Sequence, residues 1–419
     1  MRILLKKARI IAPGQPLHGG VRDLLIEDGV ITQISHNISE PADQLIAKDN
    51  LHISPGWMDI FANFGDPGYE FKEDLESGAQ AAASGGFTDV MVIPNTSPPL
   101  ESKAQIEYII SQSHPLPVNI HPIGAISREL AGKSLAEMYE MHRSGALAFS
   151  DGLHPVQSSG LLLKALQYVK AFGGILIQIP DDTGISHHGL MHEGLWSTRL
   201  GMPGKPAIAE EILIRRDLEL LRYTGSRLHF TGVSLEKSID LIREAKAAGL
   251  AVSCSITPYH LSLTDDTLQE YDSNYKVNPP LREQKDITAL RKAVKEGIID
   301  CFATHHLPQE ADSKQKEFEY AEDGMIGLES AFGILGNALP GVSIDHKINL
   351  LAINPRRLFD LPVPEIAEKA AANLTLFDPD LEWTFGESDI RSKSRNSPFL
   401  GKQLKGKVFG ILHKNQFAG

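Results

Sequence analysis

Ser54-Pro55-Gly56-Trp57-Met58-Asp59-Ile60-Phe61-Ala62-Asn63-Phe64-Gly65-Asp66-Pro67 is the stretch on which both the fold and the chemistry turn. An apolar run directly after Pro-Gly that stops at Asp-Pro-Gly predicts a buried strand ending in a loop. Alternate side chains of a strand share a face, so Phe61 and Asn63 point the same way. A metal-dependent hydrolase would want two histidines on that face, because alternate residues of one strand can ligate one ion. Phenylalanine has no lone pair to offer, and an asparagine amide is a poor substitute for imidazole at a zinc-type site.

Outward from this strand, apolar runs alternate with amphipathic segments. Strand-like runs fall at Trp57–Phe61, Phe87–Pro94, Val118–Gly124, Ala146–Ser150, Gly174–Ile179, Arg227–Gly232, Leu250–Ile256 and Ile299–Thr304, eight in all. Helical patterns occupy most of the intervals: Glu73–Ser84, Lys103–Ser111, Gly160–Phe172, Ala207–Tyr223, Leu235–Ala248 and Ile287–Glu296. Eight such units in one block predict an α/β fold, a parallel (β/α)8 TIM barrel over residues 52–365, although a doubly wound sheet would give a similar pattern. The ends read differently. Ile3–Leu5, Ala8–Ile11, Val21–Glu27 and Val30–Ile34 are short alternating runs separated by turn signals, and the style returns at Asn373–Phe377, Glu382–Phe385 and Lys407–His413. Residues 1–51 and 366–419 are therefore expected to form one split β-sandwich module around the inserted barrel.

A chain of 419 residues has room for a barrel and an accessory module, and 42% apolar with 22% charged residues is ordinary for a globular protein. The net charge of −12, without a basic cluster, argues against nucleic acid. No apolar run is long enough for a membrane helix, and Met1-Arg2-Ile3-Leu4-Leu5-Lys6-Lys7-Ala8 lacks signal-peptide features, so the expectation is a cytoplasmic protein. Cys254 and Cys301 sit in strand-like runs and read as small buried hydrophobes.

Barrel chemistry belongs at the carboxyl ends of the strands. There the sequence offers Asn95, as a ligand contact or a turn cap; Asp151, in an Asp-Gly turn; Gln178; Gly232; His260; and His305 beside His306. Strand alternation would let only one of these two histidines face the ligand. Asp151 and His305, with Asn63 and Gln178 as weak donors, fall short of the three good ligands of a catalytic zinc. His187, His188 and His192 lie with Asp181, Asp182 and Glu193 in the loop after the fifth strand. A helical loop would set His188 and His192 as an i, i+4 metal pair, but Gly184, Gly189 and Gly194 favour an irregular polar loop. No Walker loop, dinucleotide fingerprint or nucleophile elbow is present.

Several blocks carry a resemblance over nearly the whole length: Asp66-Pro67-Gly68, Lys72-Glu73-Asp74, Gly85-Gly86-Phe87-Thr88, Pro94-Asn95-Thr96, Phe149-Ser150-Asp151, Lys276-Val277-Asn278-Pro279-Pro280-Leu281-Arg282, Gly327-Leu328-Glu329 and Asn396-Ser397-Pro398-Phe399. The chain resembles the dihydroorotase family of the amidohydrolase superfamily, in the form associated with multifunctional pyrimidine-synthesis complexes. That family carries His-x-His and a substrate-binding arginine at positions that here read Phe61, Asn63 and Gly65. Its strand-five and strand-six histidines fall at Gln178 and Gly232, and its catalytic aspartate falls at His305. Of the six liganding positions that can be matched, Phe61, Asn63, Asp151, Gln178, Gly232 and His305, only Asp151 keeps the family residue.

The resemblance therefore implies a zinc enzyme's scaffold without its zinc ligands, with no catalytic residue assigned and no cofactor expected. Asn95, Asn278 and His260 remain as ligand-binding candidates. The leading expectation is a noncatalytic dihydroorotase-like chain that serves as structural partner of aspartate carbamoyltransferase and forms homo-oligomers, as the family favours. The alternatives are an active cyclic amidohydrolase with a rearranged or absent metal site, and a small-molecule sensor.

Overall fold

The structure is a computed structural model describing residues 1–419. Both ends of the chain enter one hydrogen-bonded sheet. Arg2–Ile10 pairs antiparallel with Val21–Glu27, which turns through Asp28-Gly29 into Val30–Ser35. His52–Pro55 lies beside Arg2–Ile10 on one edge and antiparallel to Leu374–Thr384 on the other. Gln403–His413 and Gln416–Ala418 complete the series, and Gln44–Ile46 pairs on the side of the first strand. The runs read separately at residues 3–5 and 8–11 are one strand with an irregularity between Leu5 and Ala8, where Lys7 takes a positive φ of 51°. Two C-terminal runs likewise merge into Leu374–Thr384, with register shifts that keep the pairing continuous.

The middle of the chain alternates parallel strands and helices. Trp57–Ala62 pairs with Phe87–Val92, which pairs with Asn119–Pro122. Isolated parallel bridges join Gly124 to Phe149 and Phe149 to Leu176. Leu176–Gln178, Leu228–Phe230, Val252–Ile256 and Cys301–Phe302 then follow in register. A last parallel bridge joins His306 to Ala62, and the Asn63 amide donates to the His306 carbonyl at 2.8 Å. The strand expected at residues 146–150 survives only as these bridges.

Two apolar layers fill this region. Inside the strands, Met58, Ile60, Phe61, Met91, Ile93, Ile123, Ile175 and Ile177 form one cluster. Outside them a larger cluster packs strands against helices, including Trp57 against Phe87, Phe332 and Phe377. A register shift between Asp59 and Ala62 brings Phe61 to the same side as Met58 and Ile60. Helix ends follow local chemistry. Leu75–Ser84 starts from Asp74, whose side chain accepts from the Ser77 amide at 2.8 Å, and Ile208–Thr224 stops at Gly225 with φ 60°.

Arg356 ties the first two strands of this region to a distant helix. Only 2% exposed, it donates to the carbonyls of Gly56 and Ala352, to Thr88 Oγ1 and to Asp89 Oδ2. Asp89 also receives His121 Nε2 at 2.9 Å and Asn119 Nδ2 at 3.0 Å. These partners hold its carboxylate well below the usual range despite burial. Cys254 and Cys301 are buried and unpaired.

Candidate functional site

At the carboxyl ends of the parallel strands lies a cavity of about 240 Å³, lined among others by Phe61, Asn63, Tyr259, Asn278, His305 and His306. Both adjacent histidines reach it. The strand they were assigned to ends at Phe302, and His305 takes φ 46°, so strict alternation no longer applies by residue 305.

The His305 ring stacks on Phe61, with centroids 4.6 Å apart and planes at 33°. Its Nε2 meets Thr231 Oγ1 at 2.8 Å. Thr231 in turn accepts from Ser255 Oγ at 2.9 Å, and Ser255 meets His229 Nε2 at 3.0 Å. His229 Nδ1 closes the chain on Ser253 Oγ at 2.8 Å. Ser255 donating to Thr231 leaves the threonine proton for His305 Nε2, which puts the His305 proton on Nδ1. Burial pushes both imidazoles down to about 3, so they are neutral at ordinary pH. Gly232 makes room for this arrangement: it has φ 71°, and a Cβ there would stand 2.7 Å from His305 Cε1.

The other expected positions are taken up by the scaffold. Asp151 Oδ1 accepts from the amides of Ile126 and Ser127 at 2.9 and 2.8 Å, and Oδ2 accepts from Ser127 Oγ. Burial outweighs these bonds and raises its carboxyl to about 6. Gln178 bridges the Val156 amide and Asp217 Oδ2. Asn63 Oδ1 caps the Gly65 amide at 2.8 Å, and Asn95 Oδ1 accepts from the Leu153 amide at 3.1 Å, so each braces a turn while lining a cleft. His260 bonds Thr257 Oγ1 and the carbonyls of Pro279 and Pro280 and does not line the cavity. Asn278 lines it and accepts from Lys205 Nζ at 3.0 Å.

The histidine loop does not form the i, i+4 pair. Thr183–Ser186 is a single helical turn, and His192 follows in the two-residue strand Met191–His192. There His192 Nδ1 accepts from Arg282, whose guanidinium also pairs with the buried Glu210. Sequence reasoning singled out neither Glu73 nor Lys205. His306 Nδ1 accepts from the Gly327 amide at 3.1 Å, which leaves its proton on Nε2, 3.5 Å from Glu73 Oε2 with both side chains fully buried. The only signal for Glu73 was its place in the Lys72-Glu73-Asp74 block.

These donors do not fit a catalytic zinc. No group of three or more His, Cys, Asp or Glu side chains is close enough to hold an ion. The Asp151 carboxylate and the amide oxygens of Asn63 and Gln178 already accept protein N–H groups.

Comparison with known proteins places this architecture in the amidohydrolase class. Solved structures similar over nearly the full length include the L-hydantoinase (dihydropyrimidinase) of Arthrobacter aurescens, with a TM-score of 0.83, 22% identity and coverage of 99% of this chain and 95% of that one. The dihydropyrimidinase of Brevibacillus agri gives 0.83 at 20% identity, covering 100% and 95%. At these identities the likeness is one of fold. A family profile described as dihydro-orotase-like matches residues 51–238. The dihydroorotase of Geobacter metallireducens is 39% identical over 410 residues, 97% of this chain and 96% of that one. The dihydroorotase of Syntrophus aciditrophicus is 37% identical over 417 residues, covering 98% of each. The chain belongs to the dihydroorotase family.

Proposed function

We propose that this chain is a catalytically silent member of its family, a dihydroorotase-like protein of pyrimidine biosynthesis that acts as structural partner of aspartate carbamoyltransferase. We read its middle region, residues 52–365, as a closed (β/α)8 barrel, and residues 1–51 with 366–419 as a β-sandwich module. A cytoplasmic homo-oligomer belongs to the same reading. No helix is long and apolar enough to cross a membrane.

The observation that carries the proposal is the Phe61–His305 stack seated over Gly232. Interconverting carbamoyl aspartate and dihydroorotate requires a polarised amide carbonyl, a hydroxide available near neutral pH and a base that shuttles the proton. In the place where the family holds metal and base, this chain has two packed rings, one of them a neutral imidazole bonded to a threonine. Phe61 has no lone pair and His305 Nε2 is already engaged by Thr231, so this pair supplies neither the hydroxide nor the base that the reaction needs.

The testing experiment is ring closure and ring opening by the purified chain with added zinc and with chelator, followed by mixing with the transferase. No turnover in either condition, and transferase assembly that depends on this chain, are expected. Zinc-dependent turnover that is lost in the double variant D151A/H305A would sink the proposal, as would a transferase fully assembled and active alone. A second reading, an active cyclic amidohydrolase with a rearranged or absent metal site, draws on the 37–39% identity to full-length dihydroorotases, and that same turnover would establish it.

A further inference from the structure

Lys205 is held differently from Lys276 and Lys314. A two-residue parallel ladder pairs Met191 with Gly204 and His192 with Lys205, which fixes its backbone. Its stem passes over Gly189, where a Cβ would come within 2.3 Å of Lys205 Cγ, so only glycine lets the side chain lie there. Lys276 and Lys314 have their ammonium groups surrounded by backbone carbonyls, from Phe318, Glu319 and Ala321 in one case and Glu322 and Gly324 in the other. The half-buried Lys205 has a single acceptor, Asn278 Oδ1 at 3.0 Å, and joins no ion pair.

An ammonium has three N–H donors, so two of those on Lys205 are unmatched. The Asn278 amide nitrogen, which has no acceptor within the protein, adds further donors beside it. Both residues line a cleft of about 450 Å³, adjacent to the Phe61–His305 cavity, together with His154, His187, His188 and Thr183. Asp181 is the one carboxylate among the lining residues, and it does not pair with Lys205. An unpaired cation in a concave, donor-rich site is a place for an anion.

We propose that this cleft binds a small oxyanion, a carboxylate or phosphate whose oxygens take the free N–H groups of Lys205 and Asn278. The site does not depend on whether the chain turns over dihydroorotate. The test is calorimetric titration of the full chain with inorganic phosphate and with succinate, against chloride at matched ionic strength. K205M keeps the stem over Gly189 and removes the charge; N278D supplies Lys205 with an internal counterion and removes the amide donors. Saturable binding of at least one oxyanion is expected, with a thermal shift in the unsubstituted chain and affinity lowered at least about tenfold in each variant. Phosphate alone marks the natural ligand as a phosphate, succinate alone as a carboxylate. If circular dichroism shows that K205M does not fold, N278D carries the same comparison. Absence of saturable binding for both anions, or affinity untouched by the substitutions, overturns the proposal.

Discussion

Gly232→Ala probes the aromatic pair directly. At φ 71° an alanine pays the left-handed backbone penalty of about 1–2 kcal/mol. Its Cβ would stand 2.7 Å from His305 Cε1 and 3.3 Å from Pro279 Cδ, inside ordinary contact. The imidazole cannot simply withdraw, because Thr231 holds Nε2 and Phe61 covers its face. Overpacking of this kind adds about 1–3 kcal/mol, for a total of about 2–5 kcal/mol. Equilibrium urea unfolding followed by the fluorescence of the three tryptophans, Trp57 among them buried, measures the loss. The steric part disappears when the ring is removed, so a double-mutant cycle with His305→Ala should return a coupling of about 1–3 kcal/mol. A single-variant loss under about 0.5 kcal/mol, or strict additivity in the cycle, would refute the reasoning that Gly232 exists to seat His305.

Arg356→Met removes one partner of the buried Asp89 pair and should cost about 3–5 kcal/mol in the same urea assay; a loss below about 1 kcal/mol would mean that His121 and Asn119 satisfy Asp89 unaided. His229 is neutral in the fold down to about 3 but titrates near its ordinary value of 6.5 once unfolded. Between these values the unfolded chain binds one more proton, so this residue's contribution to stability is present above pH 6.5 and is lost as pH falls, by up to about 1.4 kcal/mol per unit. Urea melts of His229→Gln at pH 7 and about pH 5 should therefore show a shallower acid loss than the unsubstituted chain, and parallel slopes would contradict it. Lys276→Met withdraws the donor from the carbonyls of Phe318, Glu319 and Ala321, and hydrogen exchange should accelerate across residues 313–324 while the strands stay protected.

Much of the fold could be read before the structure. The helix expected at Lys103–Ser111 runs Lys103–Ser113, and that at Leu235–Ala248 runs Glu236–Ala247, because amphipathic periodicity reports directly on which face is buried. Strand bounds are less legible: Gly174–Ile179 shrinks to Leu176–Gln178, since apolar sequence continues past the last ladder bond, and the run at 146–150 forms only isolated bridges. Gln44–Ile46 and His52–Pro55 went unseen as strands; each is short and takes its pairing from Arg2–Ile10. At the site, residue types give only the positions at which this sequence departs from the family pattern it resembles. They could not show that Asp151 reaches back to Ser127, that His260 turns to Pro279 and Pro280, or that Gly189 admits the stem of Lys205. Those facts depend on partners in other loops, which local periodicity does not encode.

The sheet shared by both chain ends also constrains how the protein can be made. His52–Pro55 gains its antiparallel neighbour only from Leu374–Phe377, and Trp57 receives a hydrogen bond partner in Thr375, 318 residues away. During synthesis the early strands must wait, with one edge open, until nearly the whole chain has left the ribosome. An unpaired edge of this kind can recruit a strand from another molecule, and closing so long a loop is slow. A chain shortened before Leu374 would keep that edge permanently, so solubility on expression should fall sharply between truncations placed just after and just before the last antiparallel strands.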